Sequence, residues 1–592
     1  MNIKYRLLNK LFIFLCKKYH RKFFNSTVDI KKIQKKILFD IIMKNRKTKY
    51  LEQFSVSDIL KDDDFLKEFQ KRVPIVDYID LEIFIERIKN GEKNILFVDD
   101  IKLFELTSGS TTATKYIPYT DSFLKTYTSA VYVWLYDLYE NNKGLYKGSV
   151  YWSLSPMLKR ERSTKGNIKV GIEDDTSYFS KFSSYILNKI FVVPKEIKNI
   201  ENIEDFLLLT SVFLLLAKKL TMISIWSPSF LLILFDFIAK NKIKILKLLE
   251  EKNLEDVKFK DSNIGDKNYF KSIKKKYKKN WSKERVEFLK INLLSKENNL
   301  NFSEIWKNLK IISCWTDSSS FEFFIKLKEK FPQVKFQGKG LMSTECILSF
   351  PLTKISKGSI IAYNSFFYEF IEIGSSFHKN EKSIKLLQEL ELGKQYIVIV
   401  TTSAGLYRYN TNDVIEVVDF YEGIALIKFI GRNNKFSDIV GEKLESSFVE
   451  KQLEKLFKEL NIDREFNLFA PTSLKSNYNN KKIIFYTLFL ELKNKNIERD
   501  KLKLLEDKIN LYLCEAYHYN YALELKQLER ARIFLIEEKN ALKIYMKEKL
   551  KTQKLGDIKF QILDNRFGWE RKFKGGFISD ENSFFSSSRS NV

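Results

Sequence analysis

The chain has 592 residues, 44% apolar and 15% aromatic, which suits several packed cores and excludes a disordered or low-complexity chain. Its formal net charge of +27 comes mostly from lysine scattered along the whole length amid Asn, Ile, Phe and Tyr. Charge of that kind is weak support for a dedicated polyanion partner, although it would help gather anionic substrates. The four cysteines (Cys16, Cys314, Cys346, Cys514) are far apart and form no Cys-x-x-Cys pair, and His20, His378 and His518 are equally dispersed. A disulfide framework and a zinc site are thereby disfavoured, no Ser/His or Cys/His relay is legible from spacing, and a reducing, cytoplasmic compartment is expected.

At the N-terminus Lys4 and Arg6 precede an apolar run, 11–16, too short for a signal peptide. Leu7, Leu8, Leu11, Phe12 and Leu15 mark one face of a basic amphipathic helix, expected to dock on its own domain, with contact to a membrane surface as the alternative. Helical patterning dominates 30–95, broken at Pro74. Residues 105–120 then read strand, loop, helix. In this stretch Thr107, Ser108, Ser110, Thr111 and Thr112 surround Gly109, and Lys115 follows three residues later. A backbone bent at glycine can aim successive N–H groups and hydroxyls at one anion, which suits a polyphosphate. The P-loop signature does not fit, because Thr114 stands where a second glycine is required and Tyr116 where Ser or Thr is required. A polar turn between two core elements is the competing reading.

Strand-bearing segments follow at 150–154 and 166–172. The most apolar region, 206–239, is interrupted by Lys218-Lys219 and by Ser227-Pro228-Ser229, so neither half reaches the ~18 apolar residues of a membrane span. It predicts two helices around a buried strand at 222–226. The lysine block 271–283, with Tyr277 and Trp281 interleaved, predicts a solvated helix or loop. A nucleic-acid patch is the alternative, but no recognised nucleic-acid-binding motif accompanies it. Strands are expected at 310–315 and, densely, from 359 to 430: 396–402, 406–409, a turn at 410–413, then 414–420 and 424–430. Beyond Gly431-Arg432 come helices near 445–460, 498–517 and 541–551, with a strand at 482–492. The Ser- and Asn-rich tail, 579–592, reads as disordered.

Four further motifs lie in order behind the hydroxyl-rich loop. They are Gln337-Gly338-Lys339-Gly340-Leu341-Met342-Ser343-Thr344-Glu345; Gly405-Leu406-Tyr407-Arg408-Tyr409-Asn410-Thr411-Asn412-Asp413-Val414; Gly431-Arg432 with Gly441-Glu442-Lys443; and Leu555-Gly556-Asp557-Ile558-Lys559-Phe560. Together with Val73-Pro74-Ile75-Val76-Asp77-Tyr78 and the segment 91–96, this series resembles the acyl-acid amido synthetases of the auxin-responsive promoter family and its bacterial relatives, members of the adenylate-forming superfamily. The resemblance runs along almost the whole chain.

The resemblance implies an α/β fold: a large N-terminal adenylate-forming domain (1–430) of β-sheets flanked by helices, and a smaller mobile α+β C-terminal domain (431–592). It implies a monomeric ligase that uses ATP and Mg²⁺ to adenylate a carboxylic acid and transfers the acyl group to an amine, an amino acid in most of the family. Ser108, Gly109, Ser110, Thr111 and Thr112 would hold the phosphates, with Lys115 an outer contact. Glu345 would hold Mg²⁺ with Thr344 beside the nucleotide, and Asp413 would accept from the ribose hydroxyls. Arg432 would contact ribose or phosphate, and Lys559, with Lys554 as the alternative, would bring positive charge to the reacting carboxylate and α-phosphate. The chain departs from the family pattern at Ala113 and Asn412, where glycine is common, and in a loop one residue shorter before Lys115. Trp134, Tyr136, Trp152 and Trp226 are candidates for an acyl pocket, or else core. Cys346 is expected to be a small buried residue rather than a nucleophile. Thioester formation with coenzyme A or a protein thiol remains the alternative second step. A basic nucleic-acid- or membrane-surface-binding protein is the alternative of another class, although no nucleic-acid partner and no stable membrane insertion are expected.

Overall fold

The computed structural model describes residues 3–578 except 26–28, 61–63, 108–114, 154–162, 172–178, 201, 253, 255–266, 295–299, 318–319, 374–383, 433–435, 438, 441, 443, 476–481, 495–496, 525–526, 552–557 and 559. The chain divides into two compact units, Met1–Ile430 with Gln553–Asp557, and Gly431–Thr552 with Ile558–Val592.

Among the described residues the first unit holds three sheets. In the smallest, β1 (Ile101–Thr107) and β2 (Lys115–Thr120) form an antiparallel hairpin, and β4 (Lys169–Val170) joins β1 in parallel. The hydroxyl-rich loop therefore connects two strands; the helix, Asp121–Asn141, starts only after β2. The expected strand–loop–helix order missed β2 because its six residues include Pro118 and no clean alternation. Thr120 then caps the helix, its hydroxyl accepting from the Phe123 N–H at 3.3 Å.

The second sheet is wholly parallel: β3 (Ser149–Trp152), β5 (Leu220–Ser224), β6 (Ile311–Ser313) and β7 (Lys335–Gln337). Every residue of β5 is buried, as expected of a parallel strand covered on both faces. The helices before and after it, Ile203–Leu216 and Pro228–Lys240, supply much of that cover; the first is buried along nearly all its length. Its orphan N-terminal N–H groups are met by the Asn202 side chain, which accepts from Glu204 and Asp205 at 3.0 and 3.1 Å.

The third sheet has the order β11-β10-β12-β13-β14-β9-β8, from β8 (Ser349–Phe350), β9 (Ser359–Ile361), β10 (Phe367–Glu372), β11 (Ile384–Leu386), β12 (Gln395–Thr401), β13 (Tyr409–Tyr421) and β14 (Ile424–Arg432). Residues 410–413 are not a turn between strands. They lie inside β13, where pairing with β12 jumps from Ile399↔Asn410 to Ile397↔Val414, so Thr411, Asn412 and Asp413 oppose Val398 alone.

The N-terminal helix, Ile3–Asn25, docks on its own unit, as expected, on a face that keeps Leu8, Phe12 and Leu15 but turns away from Leu7 and Leu11. Asn9, Phe12, Ile13, Cys16 and Phe23 are buried, whereas Leu7 and Leu11 face solvent. Both sides of this helix carry apolar residues, so the period alone could not choose between them.

The second unit contains a two-stranded ladder, β15 (Phe436–Ser437) with β16 (Leu444–Glu445). Its main sheet has the order β17-β18-β19-β20: β17 (Arg464–Lys475), β18 (Lys482–Leu492), β19 (Glu529–Ile536) and β20 (Gly575–Phe577). Helices Ser446–Glu459, Arg499–Leu513 and Ala541–Leu550 belong to the same unit.

Candidate active site

The hairpin brings the ends of the hydroxyl-rich connection together, because its last pair is Thr107↔Lys115. Ser108, Gly109, Ser110, Thr111 and Thr112 themselves lie outside the described residues. Lys115 opens β2; its Nζ donates to the Tyr409 hydroxyl at 3.4 Å and stands 5.5 Å from the centre of the Tyr78 ring. Its neighbour Tyr116 donates its N–H to the Tyr78 hydroxyl at 2.8 Å.

Thr344 and Glu345 sit at the tip of a tight turn between β7 and β8. The turn is closed by the Ser343 N–H donating to the Cys346 carbonyl at 2.9 Å and the Cys346 N–H donating to Ser343 Oγ at 3.2 Å. It is tied to the hairpin through Tyr119 of β2, whose hydroxyl donates to the Thr344 carbonyl at 2.8 Å. Glu345 is only 4% exposed.

Asp413, 3% exposed, projects from the bulge in β13. Its N–H donates to Thr411 Oγ1 at 3.1 Å, and that hydroxyl donates to the Val398 carbonyl at 2.9 Å. Asn412 takes the left-handed conformation, φ +59°, and donates from Nδ2 to Asp77 Oδ1 at 3.3 Å. Glycine is common at this place in the family, and Asn is among the few side chains that tolerate the conformation. Asp413 and Glu345 come from segments far apart in sequence, yet both act on one thiol. Burial first, then the charges of Glu345 and Asp413, push Cys346 well above its usual pKa. The thiol is therefore protonated and inert at neutral pH, in keeping with its 3% exposure.

A buried ion pair fixes this region from behind. Arg408, φ +46°, pairs with Glu369 through Nε at 3.0 Å and Nη2 at 3.0 Å, and its Nη1 donates to the carbonyls of Gln70 and Val73 at 2.6 and 2.7 Å. Beyond Val73 the chain bridges β13 directly: Val76 donates to the Arg408 carbonyl and accepts from the Asn410 N–H. Arg408 thus anchors the segment carrying Asp77 and Tyr78, which in turn touch Asn412, Lys115 and Tyr116.

Three of the four candidate aromatics converge on a residue that carried no assigned role. Lys339, 3% exposed, follows β7, and its Nζ lies 4.7, 5.3 and 5.3 Å from the ring centres of Trp134, Trp152 and Trp226 while donating to Ser224 Oγ at 2.6 Å. Tyr136 is elsewhere, its ring centre 4.6 Å from that of His20. Nothing in the polar stretch Lys335-Phe336-Gln337-Gly338-Lys339 singles out Lys339, and lysine is too common here to register by itself. A cleft of about 830 Å³ borders Gln337, Gly338 and Gly340 and includes Asp317 and Lys428; neither Glu345 nor Asp413 lines it.

In the second unit, Arg432 ends β14 half-exposed. Glu442 is fully buried and accepts the N–H groups of Ile439 and Val440 and the Tyr486 hydroxyl, so it serves that unit's own packing. Lys559 and Lys554 lie outside the described residues. Ile558 and Phe560, on either side of Lys559, are buried.

The donors around the turn and the bulge are oxygens, from Thr344, Glu345 and Asp413, beside a thiol held protonated. That set suits a hard cation rather than zinc. Among the described residues no group of three or more His, Cys, Asp or Glu could hold a metal ion. A single carboxylate supplemented by substrate phosphates is the usual arrangement for Mg²⁺.

Comparison with known proteins supplies the class. The fold is that of an acyl acid amido synthetase: a GH3.15 acyl acid amido synthetase structure superimposes with a TM-score of 0.74 at 20% identity, covering 96% of both chains. The protein is a ligase of this class. The chain belongs to the GH3 family, matching the GH3 family N-terminal domain over residues 19–336 and the GH3 family central domain over 359–432. Among its relatives is an indole-3-acetic acid-amido synthetase, GH3.4, of Arabidopsis thaliana, 25% identical over 71% of this chain and 70% of the relative. Another, the 4-substituted benzoates-glutamate ligase GH3.12 of the same plant, is 23% identical over 84% of this chain and 85% of the relative.

Proposed function

We propose that the protein adenylates a small carboxylic acid with ATP and Mg²⁺ and passes the acyl group to the amine of an amino acid. The chemistry sets the need. A carboxylate oxygen is a poor leaving group, and bringing it to an α-phosphate opposes two anions, so charge must be neutralised while the attacking oxygen is aligned opposite pyrophosphate. The carboxylate oxygen bonds to the α-phosphorus as the bond to pyrophosphate breaks; the amine nitrogen then bonds to the acyl carbon, AMP leaves, and the amine's proton passes to base.

In this reading the 108–114 connection and Lys115 hold the phosphates, and Thr344 and Glu345 lie beside the nucleotide. Glu345 holds Mg²⁺, which would neutralise charge on the phosphate oxygens. Asp413, ionised and acceptor-only, takes the ribose hydroxyls. Arg432 and Lys559 are the candidates for further positive charge. Trp134, Trp152 and Trp226 wall the acyl pocket, and Lys339 meets an electron-rich group of the acid there. The observation that carries the reading is the convergence of Glu345 and Asp413, both almost fully buried, on the Cys346 turn tied to the hairpin.

The test is acid-dependent exchange of pyrophosphate into ATP across an acid library, followed by mass identification of the product with amino acids or coenzyme A. Exchange that falls about 100-fold in Asp413→Ala, the scale of losing hydrogen bonds to a charged group, with an amide as product, is expected. Exchange indifferent to Asp413→Ala, or a thioester as the sole product, would reject the assignment.

A further inference from the structure

The N-terminal helix has two apolar faces, and only one is used by the fold. Phe12, Ile13, Cys16 and Phe23 are buried, while Ile3, Leu7, Leu11 and Phe14, spaced by four, four and three residues, form a stripe on the solvent side with exposures of 64, 61, 42 and 70%. The stripe continues onto the packed helix Lys181–Ile190, where Phe182 and Tyr185 are 53 and 61% exposed. A cleft of about 510 Å³ between these helices is lined by Phe14 and Phe182 together with Lys17, Lys18 and Arg21.

The helices that build this face are basic and carry no acid of their own, although Glu196 accepts from Ser272 Oγ at 2.8 Å and Glu140 stands near Lys17. Neither Ile3–Asn25 nor Lys181–Ile190 carries an Asp or Glu, and neither does the adjoining helix Lys267–Asn280, which holds the lysine block of the sequence. That third helix is joined to the second by Lys276 Nζ donating to the Asn188 carbonyl at 3.4 Å. It meets the first where Lys279 and Lys4 stand within hydrogen-bonding reach, and contact with Lys4, then burial, lowers the Lys279 pKa. Two ammonium groups in contact are unfavourable alone and become favourable beside an anionic surface. Large aliphatic and aromatic side chains rimmed by lysine match a bilayer interface, which offers acyl chains to one set and headgroup phosphates to the other. A nucleic-acid backbone would engage only the lysines.

We infer that this three-helix face docks on the surface of an anionic lipid bilayer, with the stripe from Ile3 to Phe14 and Phe182 entering the headgroup boundary and the flanking lysines on lipid phosphates. Among the described residues no helix is long and apolar enough to cross a membrane, and the contact is peripheral. This inference is independent of the catalytic reading.

Co-sedimentation of the full chain with vesicles tests it, comparing phosphatidylglycerol-rich with pure phosphatidylcholine vesicles at low and high salt. The wild type is expected to sediment with the anionic vesicles only, and less at high salt. Leu7→Gln/Phe14→Gln and Lys17→Gln/Lys18→Gln should each weaken binding by about tenfold or more, with unchanged melting temperature because the side chains lie at the surface. No binding to anionic vesicles, or equal binding by the Leu7→Gln/Phe14→Gln variant, would overturn the inference. So would binding to duplex DNA tighter than to vesicles, or a self-association that this variant abolishes while vesicle binding is absent.

Discussion

Lys339 shows how much of the candidate site depends on single side chains. An ammonium among three tryptophan faces is stabilised by their quadrupoles and by Ser224, and truncating it to an isosteric apolar group should leave the packing intact. In Lys339→Met the KM for the acid is expected to rise about tenfold, the scale of one desolvated cation–π contact, with the KM for ATP unchanged. Steady-state exchange kinetics with each substrate varied would show this; a matched rise in both constants would mean that Lys339 only holds the fold. The cysteines give a second residue-scale prediction. Burial raises Cys16, Cys314 and Cys346, with Cys314 pushed up to about 12, while Cys514 is only partly buried and raised less far. Alkylation of the native protein near neutral pH, read by peptide mass, should mark Cys514 first and Cys346 only on unfolding. At this scale the sequence was informative where chemistry and pattern coincided. Glu345 and Asp413 stand out through the family motif, and Asn412, which departs from it, is a residue that tolerates the left-handed backbone the site requires. Lys339 did not stand out, because its meaning lies in three rings from three distant segments.

Elements were legible in proportion to how plainly their residues stated a period. β12, β14 and β18 are runs rich in Ile, Val and Phe and were expected close to where they lie. β17 went unseen, and it contains Pro471, which a strand tolerates when it lies at a sheet edge, as β17 does. The Asn-Thr-Asn-Asp segment carries turn chemistry, and the structure spends it on a bulge within β13 instead of a break between strands. What stabilises that element is the ion pair behind it. Arg408 and Glu369 have side chains 3% and 1% exposed, and Gln70 donates to the same carboxylate at 2.9 Å. Removing one partner leaves a buried charge uncompensated, so Arg408→Met should cost about 3–5 kcal/mol of stability, and Arg408→Met/Glu369→Gln appreciably less than the sum of the two single changes. Denaturant melts of the three variants measure both quantities. Strict additivity would show that the pair is not coupled and that Arg408 acts only through its bonds to the Gln70 and Val73 carbonyls.

Across the whole chain each unit has a buried ion pair in its own interior. In the second, Lys549 and Arg566 both engage the buried Asp564, at 2.9 Å each, and the Asp564 side chain is 2% exposed. Desolvation raises its pKa, but the Arg566 hydrogen bonds and the charges of Lys549 and Arg566 outweigh it and bring the carboxyl down to about 2. Unfolded, the same group titrates near about 3.9. A carboxyl depressed by folding contributes stability that is complete above the unfolded value and is lost as pH falls toward the folded one. The second unit should therefore lose about 2 kcal/mol between roughly pH 5 and pH 2 through this residue alone. Asp564 lies five residues after Lys559, and the Asp564 N–H donates to the Phe469 carbonyl at 2.9 Å, so the same cluster pins the segment on which the candidate lysine rides. Asp564→Asn should flatten the acid limb of unfolding free energy against pH and lower stability near neutrality by about 3 kcal/mol, since the buried Lys549 loses its counter-charge while the exposed Arg566 keeps its hydration. Chemical denaturation at closely spaced pH values, followed through Trp569 fluorescence with Trp569 retained as the reporter of this unit, reads both effects. An acid limb as steep in Asp564→Asn as in the wild type would assign the acid sensitivity to other carboxylates and remove Asp564 as the anchor.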